Sequence, residues 1–365
     1  VAIFRAYPTV KATPWRTIGD WPTPIDPPGA FARRLDLPQL YIKREDRSHP
    51  VCGGNKVRGL EFVLGEAAAQ SSKTILTFGA AGSHHICKTA WHAKQMGIDT
   101  VAIVVPQENA AYVRRNILCA ASVSTRYVAA QYATLIPRLA IEWLRLSKAA
   151  SKVCYIPAGG SSASSILGHV SAAMELKEQI RAGVMPAPDF LYVPMGSLGT
   201  AAGLMLGLKL AGLQTRVVGV VVSYRWYCTA GRCARMARRC LRLMRRLGAD
   251  VAEASIGAKD IELIGTSLGE GYARFTPPAV ELARRLHEDD GLCLDGTYTS
   301  KALHGMCEFI RSRGLERSVH LFWNTYAPSP CVEMNEGLIE KLPTALRKYF
   351  DRAVQPLDAD LPYLD

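Results

Sequence analysis

The sequence has no run of about 18 apolar residues, which argues against a membrane-spanning helix. No CxxC pair occurs among its cysteines, and its histidines form neither HxxxH nor HExxH, so a protein-built metal site has little support. GxGxxG and GxxxxGK[ST] are both missing, which excludes a dinucleotide fingerprint and a nucleotide P-loop. There is no internal repeat, no low-complexity tract and no clear flexible linker. Val1 to Pro8 lacks the basic-then-apolar layout of a secretory signal, and the missing initiator Met reads as processing or trimming; a cytoplasmic location is expected.

What is present is ordinary for a globular chain. Its 365 residues allow about two domains, and 48% are hydrophobic against 21% charged. Ten cysteines (Cys52, Cys87, Cys119, Cys154, Cys228, Cys233, Cys240, Cys293, Cys307 and Cys331) are expected as reduced thiols, since a chain this long needs no disulfide staples. Much of the formal charge of +12 sits where Arg232, Arg235, Arg239, Arg242 and Arg246 recur at helical spacing opposite Cys233, Met236, Cys240 and Leu247. With few interleaved aromatics and no recognition motif, this reads as a solvated helix face and not a nucleic-acid surface.

Short β-branched runs alternate with amphipathic stretches. Strands are predicted at Leu40–Arg44, Thr74–Phe78, Thr100–Val105, Ser124–Tyr127, Cys154–Pro157, Phe190–Pro194, Val217–Val222, Leu292–Leu294 and Val319–Trp323. Helices are predicted at Val57–Gln70, at His84–Met96, near Ala110–Ala120, and starting or kinking at Pro137. Residues 1 to 37, rich in Pro and Trp, are expected to wrap the outside of a domain. Such alternation implies an α/β fold with parallel sheets covered by helices, and ligands gather at the carboxyl ends of the strands.

Three strand-end loops stand out. Gly53-Gly54-Asn55-Lys56 puts an amine at the mouth of a helix beside Arg58, where a lowered pKa would favour nucleophilic chemistry; alone, it also fits a surface lysine after a tight turn. Gly79-Ala80-Ala81-Gly82-Ser83-His84-His85 opens a helix whose free N–H groups and dipole suit a carboxylate, or is a helix capped by Ser83. Gly196-Ser197-Leu198-Gly199-Thr200 could cradle a phosphate on backbone amides, or be a tight βα turn. Together they supply an amine for an aldehyde, a grip for a carboxylate and a grip for a phosphate. Pyridoxal 5'-phosphate with an amino-acid substrate requires those three.

The stretches LYIKRED (40–46), GGNKVRGLEF (53–62), GSHH (82–85), IPAGGSSASSILGHVSAAMEL (156–176), GSLGTAAGL (196–204), GEGYARFTP (269–277) and LDGTYTSKALHGM (294–306) give a resemblance. The chain resembles the aminocyclopropane-carboxylate deaminase and D-cysteine desulfhydrase family, within the tryptophan-synthase-β-like, fold-type II pyridoxal-phosphate enzymes. The resemblance implies two open, mostly parallel twisted sheets with helices on both faces and the cofactor in the cleft between two domains. The larger, cofactor-binding domain would comprise residues 1–58 and 166–365, the smaller 59–165. It implies that Lys56 carries the cofactor as a Schiff base, supported by Asn55, and that the loop from Gly196 to Thr200 holds its phosphate. Ser83 would hold the substrate carboxylate with His84 and His85 beside it. Tyr272 and Tyr298 would be active-site tyrosines, and Thr325 would lie near the pyridine nitrogen. A neutral hydroxyl there weakens the ring as an electron sink, which suits elimination or replacement at Cβ. Thr299, where the cyclopropane-opening branch has glutamate, points the same way.

Four positions depart from the family. His84 stands where an asparagine often contacts the cofactor's ring hydroxyl, Gly59 where a phosphate-binding lysine often sits, Leu198 where glycine is common, and Tyr326-Ala327 in place of a Gly-Gly pair. The tail from Glu333 has no counterpart and is expected to cover the site or an oligomer interface. The function expected is a lyase or deaminase of a small amino acid, D-cysteine desulfhydrase-like, giving a keto acid and ammonia, in a cytoplasmic homodimer. The alternatives are a remodelled enzyme of specialised metabolism performing β/γ-replacement, racemisation or aldol chemistry, and a non-catalytic cofactor-binding protein. Neither a membrane nor a nucleic acid is expected as partner.

Overall fold

The computed structural model describes residues 1–148, 152–251, 253–330, 332 and 336–362. Its strands are β1 (Ile25–Asp26), β2 (Leu40–Arg44), β3 (Thr74–Ala80), β4 (Asp99–Val105), β5 (Arg126–Ala129), β6 (Val153–Ile156), β7 (Phe190–Met195), β8 (Arg216–Val221), β9 (Ile261–Ile264) and β10 (His320–Asn324). Its helices are α1 (Ala2–Ala6), α2 (Ala30–Arg34), α3 (Lys56–Ala69), α4 (His84–Gln95), α5 (Ala111–Ser122), α6 (Leu135–Lys148), α7 (Ala163–Arg181), α8 (Gly199–Ala211), α9 (Ala230–Arg246), α10 (Pro277–Asp290), α11 (Thr299–Arg313), α12 (Glu336–Glu340) and α13 (Thr344–Asp351).

Two sheets form, as the alternation requires. One has the order β1-β2-β10-β7-β8-β9 and is parallel except for β1, which pairs antiparallel with β2; the other has the order β5-β4-β3-β6 and is wholly parallel. Strands buried along their whole length, such as β7 with FLYVPM and β10 with HLFWN, read as continuous apolar runs because helices cover both faces. The smaller sheet uses chain from 74 to 156 and the larger uses the segments before and after it. Residues 1 to 37 are not merely an outer wrap: Ile3 and Val10 are fully buried, and β1 joins the larger sheet.

One predicted strand is absent. Leu292–Leu294 has no strand partner, and its leucines are buried because the chain dives toward the turn at Asp295. The edge beside β8 is taken instead by β9, which sequence reading missed. Periodicity cannot separate a buried approach of three residues from a strand, and β9 is a short, half-buried edge.

The helix bearing Lys56 is fixed by a buried ionic cluster. Arg58 donates to Glu45 (2.7 and 2.8 Å) and to Glu175 (2.9 and 3.1 Å), and Lys43 donates to Glu175 (2.6 Å). All four side chains are at most 5% exposed. Glu175 lies on α7, which crosses α3 so closely that a Cβ on Gly168 would come 2.0 Å from the Arg58 carbonyl oxygen. A Cβ on Gly59 would come 3.1 Å from the Ser165 Cβ. The approach is tight at Gly59, where a side chain would press on Ser165 of α7.

On α9, Arg235, Arg239, Arg242 and Arg246 are exposed, while Cys233, Cys240 and Met244 are buried against the core. Nine of the ten cysteines are described and all nine are buried; Cys331 lies outside the described residues.

The C-terminal segment is described over 336–362, so the beginning of the predicted tail, 333–335, is outside those residues. It runs along the flank of the molecule. The Tyr349 hydroxyl accepts from the Gln107 N–H and donates to the Gln107 carbonyl, both at 2.9 Å, and the Tyr349 carbonyl accepts from Arg114 (2.8 Å). Gln355 accepts from the Phe275 N–H (2.8 Å) and donates to the Ala273 carbonyl (3.1 Å), while its own N–H donates to the Asn109 carbonyl (3.1 Å).

Candidate active site

The strand ends of both sheets face one cleft of about 680 Å³. Lys56 lines it from the start of α3, the 79–85 loop from the end of β3, the 196–200 loop from the end of β7, and Thr325 from the end of β10. The three loops singled out above therefore converge, although about 140 residues separate the first from the last.

Lys56 Nζ donates to the Gly159 carbonyl at 3.1 Å, and no carboxylate pairs with it among the described residues. Burial pushes its amine down to about 8. The direction is the one expected, but the cause differs: Arg58 is turned into the buried cluster and plays no part. Asn55 bridges to the opposite loop, donating to Thr200 Oγ1 at 2.7 Å, and its own N–H donates to the Thr325 carbonyl at 3.2 Å.

The 196–200 loop turns sharply into α8 with Leu198 in the left-handed region at φ 70°. That conformation costs a non-glycine residue about 1–2 kcal/mol. The Leu198 side chain is 2% exposed, and its burial offsets the cost with about 1.5–3 kcal/mol. The Ser161 hydroxyl donates to Ser197 Oγ at 3.0 Å, laying the turn after β6 on this loop. A Cβ on Gly199 would sit 2.7 Å from Ser161 Oγ, so glycine keeps the first N–H groups of α8 open toward the cleft. Beneath them is His169, which sequence reading quoted but gave no role; it is buried, with Nε2 3.4 Å from Thr200 Oγ1 and Nδ1 unpartnered.

Ser83 is the N-cap of α4, yet its side chain makes no capping bond, which leaves hydroxyl and helix start available. His84 lies between rings, stacked on Tyr112 at 5.0 Å and edge-on to Tyr326 at 5.3 Å. Its Nδ1 accepts from Asn116 Nδ2 (3.0 Å), and that amide is held in place by donating to the Gly82 carbonyl (2.8 Å) and accepting from the Ser329 hydroxyl (2.5 Å). With Nδ1 an acceptor, the proton of neutral His84 sits on Nε2, a buried donor with no partner. Burial, with the Lys88 and Lys56 cations, pushes His84 down to about 3, so the ring is neutral at physiological pH. Asn116, Tyr112 and Ser329 escaped sequence reading because nothing local marks them; only the fold brings them to His84.

His85 sits deeper. Thr77 donates to the Ile156 carbonyl and so accepts from His85 Nε2 (2.8 Å), and Nδ1 takes the Thr89 hydroxyl (3.2 Å). Both ring nitrogens are therefore engaged, and the ring lies under Gly160, whose Cβ would come 3.1 Å from Nδ1.

The phenols of Tyr272 and Tyr298 share a hydrogen bond of 2.7 Å, and burial pushes Tyr272 up to about 12 and Tyr298 well above its ordinary value. Both are neutral near pH 7. The loop carrying Tyr272 is pinned by Lys301, fully buried, which donates to the Leu268 and Gly271 carbonyls at 2.8 and 2.9 Å. The Asp295 carboxylate holds the turn into Tyr298, accepting from the N–H groups of Thr297, Tyr298 and Thr299 at 3.1, 2.8 and 3.0 Å. Thr299 is fully buried and donates to Asp295 at 2.7 Å; it does not line the cleft. Lys88, also missed, lines the cleft but directs its ammonium at the Ala327 and Pro328 carbonyls (3.2 and 2.8 Å). Among the described residues no three His, Cys, Asp or Glu groups are placed to hold a metal ion.

This donor set suits an aldehyde cofactor with an anionic tail: a desolvated amine without a counter-ion, an open helix start lined by hydroxyls, and a neutral imidazole N–H with nothing to bond. Residues 17–325 match the family described as pyridoxal-phosphate dependent enzyme. The chain is 32% identical over 312 residues to the nocardicin C-9' epimerase of Nocardia uniformis subsp. tsuyamanensis, covering 83% of this chain and 90% of that one. It is 29% identical over 308 residues to a D-cysteine desulfhydrase of Salmonella paratyphi A, covering 80% and 87%. The crystal structure of an ACC deaminase homologue superposes with a TM-score of 0.76 at 26% identity, over 93% of this chain and 99% of that one. With its amine, anion cradle and sheet order in place, the chain belongs to the pyridoxal-phosphate dependent enzyme family.

Proposed function

We propose that this enzyme eliminates a β-substituent from a small amino acid, releasing a keto acid and ammonia. The observation that carries the reading is the Lys56 amine, desolvated and without a counter-ion, facing the same cleft as the open start of α4. Bound there, pyridoxal phosphate supplies an aldehyde that joins amines and a ring that withdraws electrons from Cα. Lys56 holds it, residues 196–200 take its phosphate, and the His84 Nε2–H donates to an oxygen of cofactor or substrate. Ser83 and the α4 N–H groups take the substrate carboxylate. Lys56 also moves the Cα proton, and the Tyr298–Tyr272 pair holds a second proton near the leaving group. Thr325 offers only a neutral hydroxyl, which favours elimination over transamination. For D-cysteine the sum is cysteine plus water giving hydrogen sulfide, pyruvate and ammonium.

Because protonated Lys56 cannot attack an aldehyde, cofactor uptake by the stripped protein should accelerate about tenfold per pH unit up to about pH 8 and level above it. Stopped-flow absorbance checks this; a rate flat between pH 6 and 8 would refute the lowered amine. The reaction itself is tested by incubating the loaded enzyme with D-cysteine and assaying sulfide and pyruvate. A second reading, epimerisation at Cα, is favoured by the similarity to a protein named as an epimerase. It predicts deuterium at Cα from heavy water with no keto acid formed.

A reducing compartment such as the cytoplasm accords with the buried free thiols of Cys52, Cys87, Cys119, Cys154, Cys228, Cys233, Cys240 and Cys307. A homodimer accords with Ile136, Ile141, Trp143 and Leu144, all exposed on α6, an apolar face that a second copy could cover. Light scattering on the assayed sample decides it, since a mass of one chain, 39.8 kDa, removes the dimer from the proposal.

A further inference from the structure

Resting on the reading above, we propose that among the amino acids this enzyme binds it prefers one whose β-substituent carries an aromatic ring, seated on a rim of tyrosine and tryptophan at the cleft mouth. The side chains that carry charge in the cleft wall are Lys56, Lys88 and Asp295. Lys88 is engaged by the 327–328 carbonyls and Asp295 by the turn into Tyr298. Charge recognition is therefore confined to the deep end, at Lys56 and the start of α4, where the amine and carboxylate of an amino acid belong.

Outward from there the wall is aromatic. Tyr298 leads to Tyr272 (centroids 6.0 Å apart), Tyr272 to Tyr224 (5.9 Å), and Tyr224 to both Tyr132 (6.4 Å) and Trp226 (6.1 Å). Tyr224 and Trp226 come from the loop after β8 of the larger sheet, Tyr132 from the segment after β5 of the smaller one. The Tyr224 hydroxyl donates to the Tyr132 hydroxyl at 3.0 Å, and that hydroxyl donates on to the Pro106 carbonyl at 3.1 Å, so two rings from opposite sheets are oriented across the mouth. Exposure along the series is 40% at Tyr224, 52% at Tyr132 and 69% at Trp226. The Arg232 guanidinium lies over the Trp226 ring at 5.4 Å, yet these rings still leave flat apolar surface open beside the cleft, and aromatic pairs with centroids about 4.5–7 Å apart are attractive beyond the area they bury. The cleft of about 680 Å³ must take the cofactor together with the substrate, and it lies in the ~300–1,000 Å³ range of sites that hold such ligands. The occupant that fits both ends is one amino acid, charged at the head and aryl at the tip.

The test titrates the cofactor-loaded enzyme with D- and L-phenylalanine and with D- and L-alanine, following the visible band of the cofactor. The expected result is that phenylalanine of one hand binds at least about tenfold tighter than alanine of the same hand, and that Trp226→Ala reduces the ratio severalfold. Equal affinities, or a ratio untouched by Trp226→Ala, overturn the proposal. If Trp226→Ala instead halves the mass of the assembly, the rim is an interface between copies and the proposal also falls. If no amino acid shifts the band, the functional reading itself has failed, an outcome distinct from a band shifted equally by both ligands.

Discussion

Replacing Lys56 by alanine should give a folded, colourless protein. The visible band should be absent after incubation with pyridoxal phosphate, borohydride should fix no cofactor, and turnover should fall by more than the ~10²–10⁴-fold that losing a positioned proton carrier costs, because the covalent anchor goes as well. Folding should not suffer. Lys56 pairs with no carboxylate among the described residues, and burial holds its pKa at about 8, below the ordinary 10.5. A lowered lysine pKa means that the charged form is disfavoured in the fold, so below pH 8 the buried ammonium is a cost that alanine removes. The cofactor-free variant should therefore resist urea at least as well as the cofactor-free parent. A variant that keeps its colour or more than a hundredth of the parental rate would show that the amine has been misassigned.

The second large effect concerns stability. Glu175→Gln should lower stability by about 3–5 kcal/mol at pH 7, because Arg58 would keep its charge with Glu45 as the remaining buried anion, and Lys43, already pulled down by burial, would lose the carboxylate that favours its charged form. The Arg58 and Lys43 cations, with the hydrogen bonds they donate, hold the Glu175 carboxyl down at about 2 against the penalty of burial. A depressed carboxyl stabilises fully above its ordinary value of 4.5 and loses that contribution as the pH falls toward 2. The gap between parent and variant should accordingly be widest near neutrality and close through that window, as read from urea midpoints at several pH values. A gap independent of pH would mean that shape, not charge, carries the effect. Since Arg58 lies two residues from Lys56 on α3, the variant should also hold its cofactor less tightly.

Legibility in the sequence followed the range of the signal. Strand β2 and the starts of α3 and α4 came within a residue of prediction because local alternation and glycine-rich turns encode them. The convergence of Lys56, Ser83 and residues 196–200 was inferred from strand-end logic and from resemblance. The tautomer of His84 was not legible, since it is set by Asn116 on α5 and Ser329 after β10, far away in the chain. Arg58 was read as a neighbour acting on Lys56, yet side chains two helical positions apart diverge by about 200°, and the two enter different environments. Substituting Tyr326-Ala327 for a glycine pair reads as an anomaly in one dimension; in three, Tyr326 is the ring against which His84 rests.

The C-terminal segment acts as a clasp between two distant stretches of the chain. On one flank Gln355 and Tyr349 stitch residues 107–114 to 273–275, so prising the halves apart there breaks several hydrogen bonds together. Beside these bonds the Tyr224–Tyr132 link, whose Tyr132 hydroxyl donates to the Pro106 carbonyl next to Gln107, adds a single bond worth about 0.5–1.5 kcal/mol. Tail and tyrosine link therefore fasten neighbouring parts of the chain, and without the tail the single tyrosine bond would be left to hold residues 106–107 across to the loop after β8.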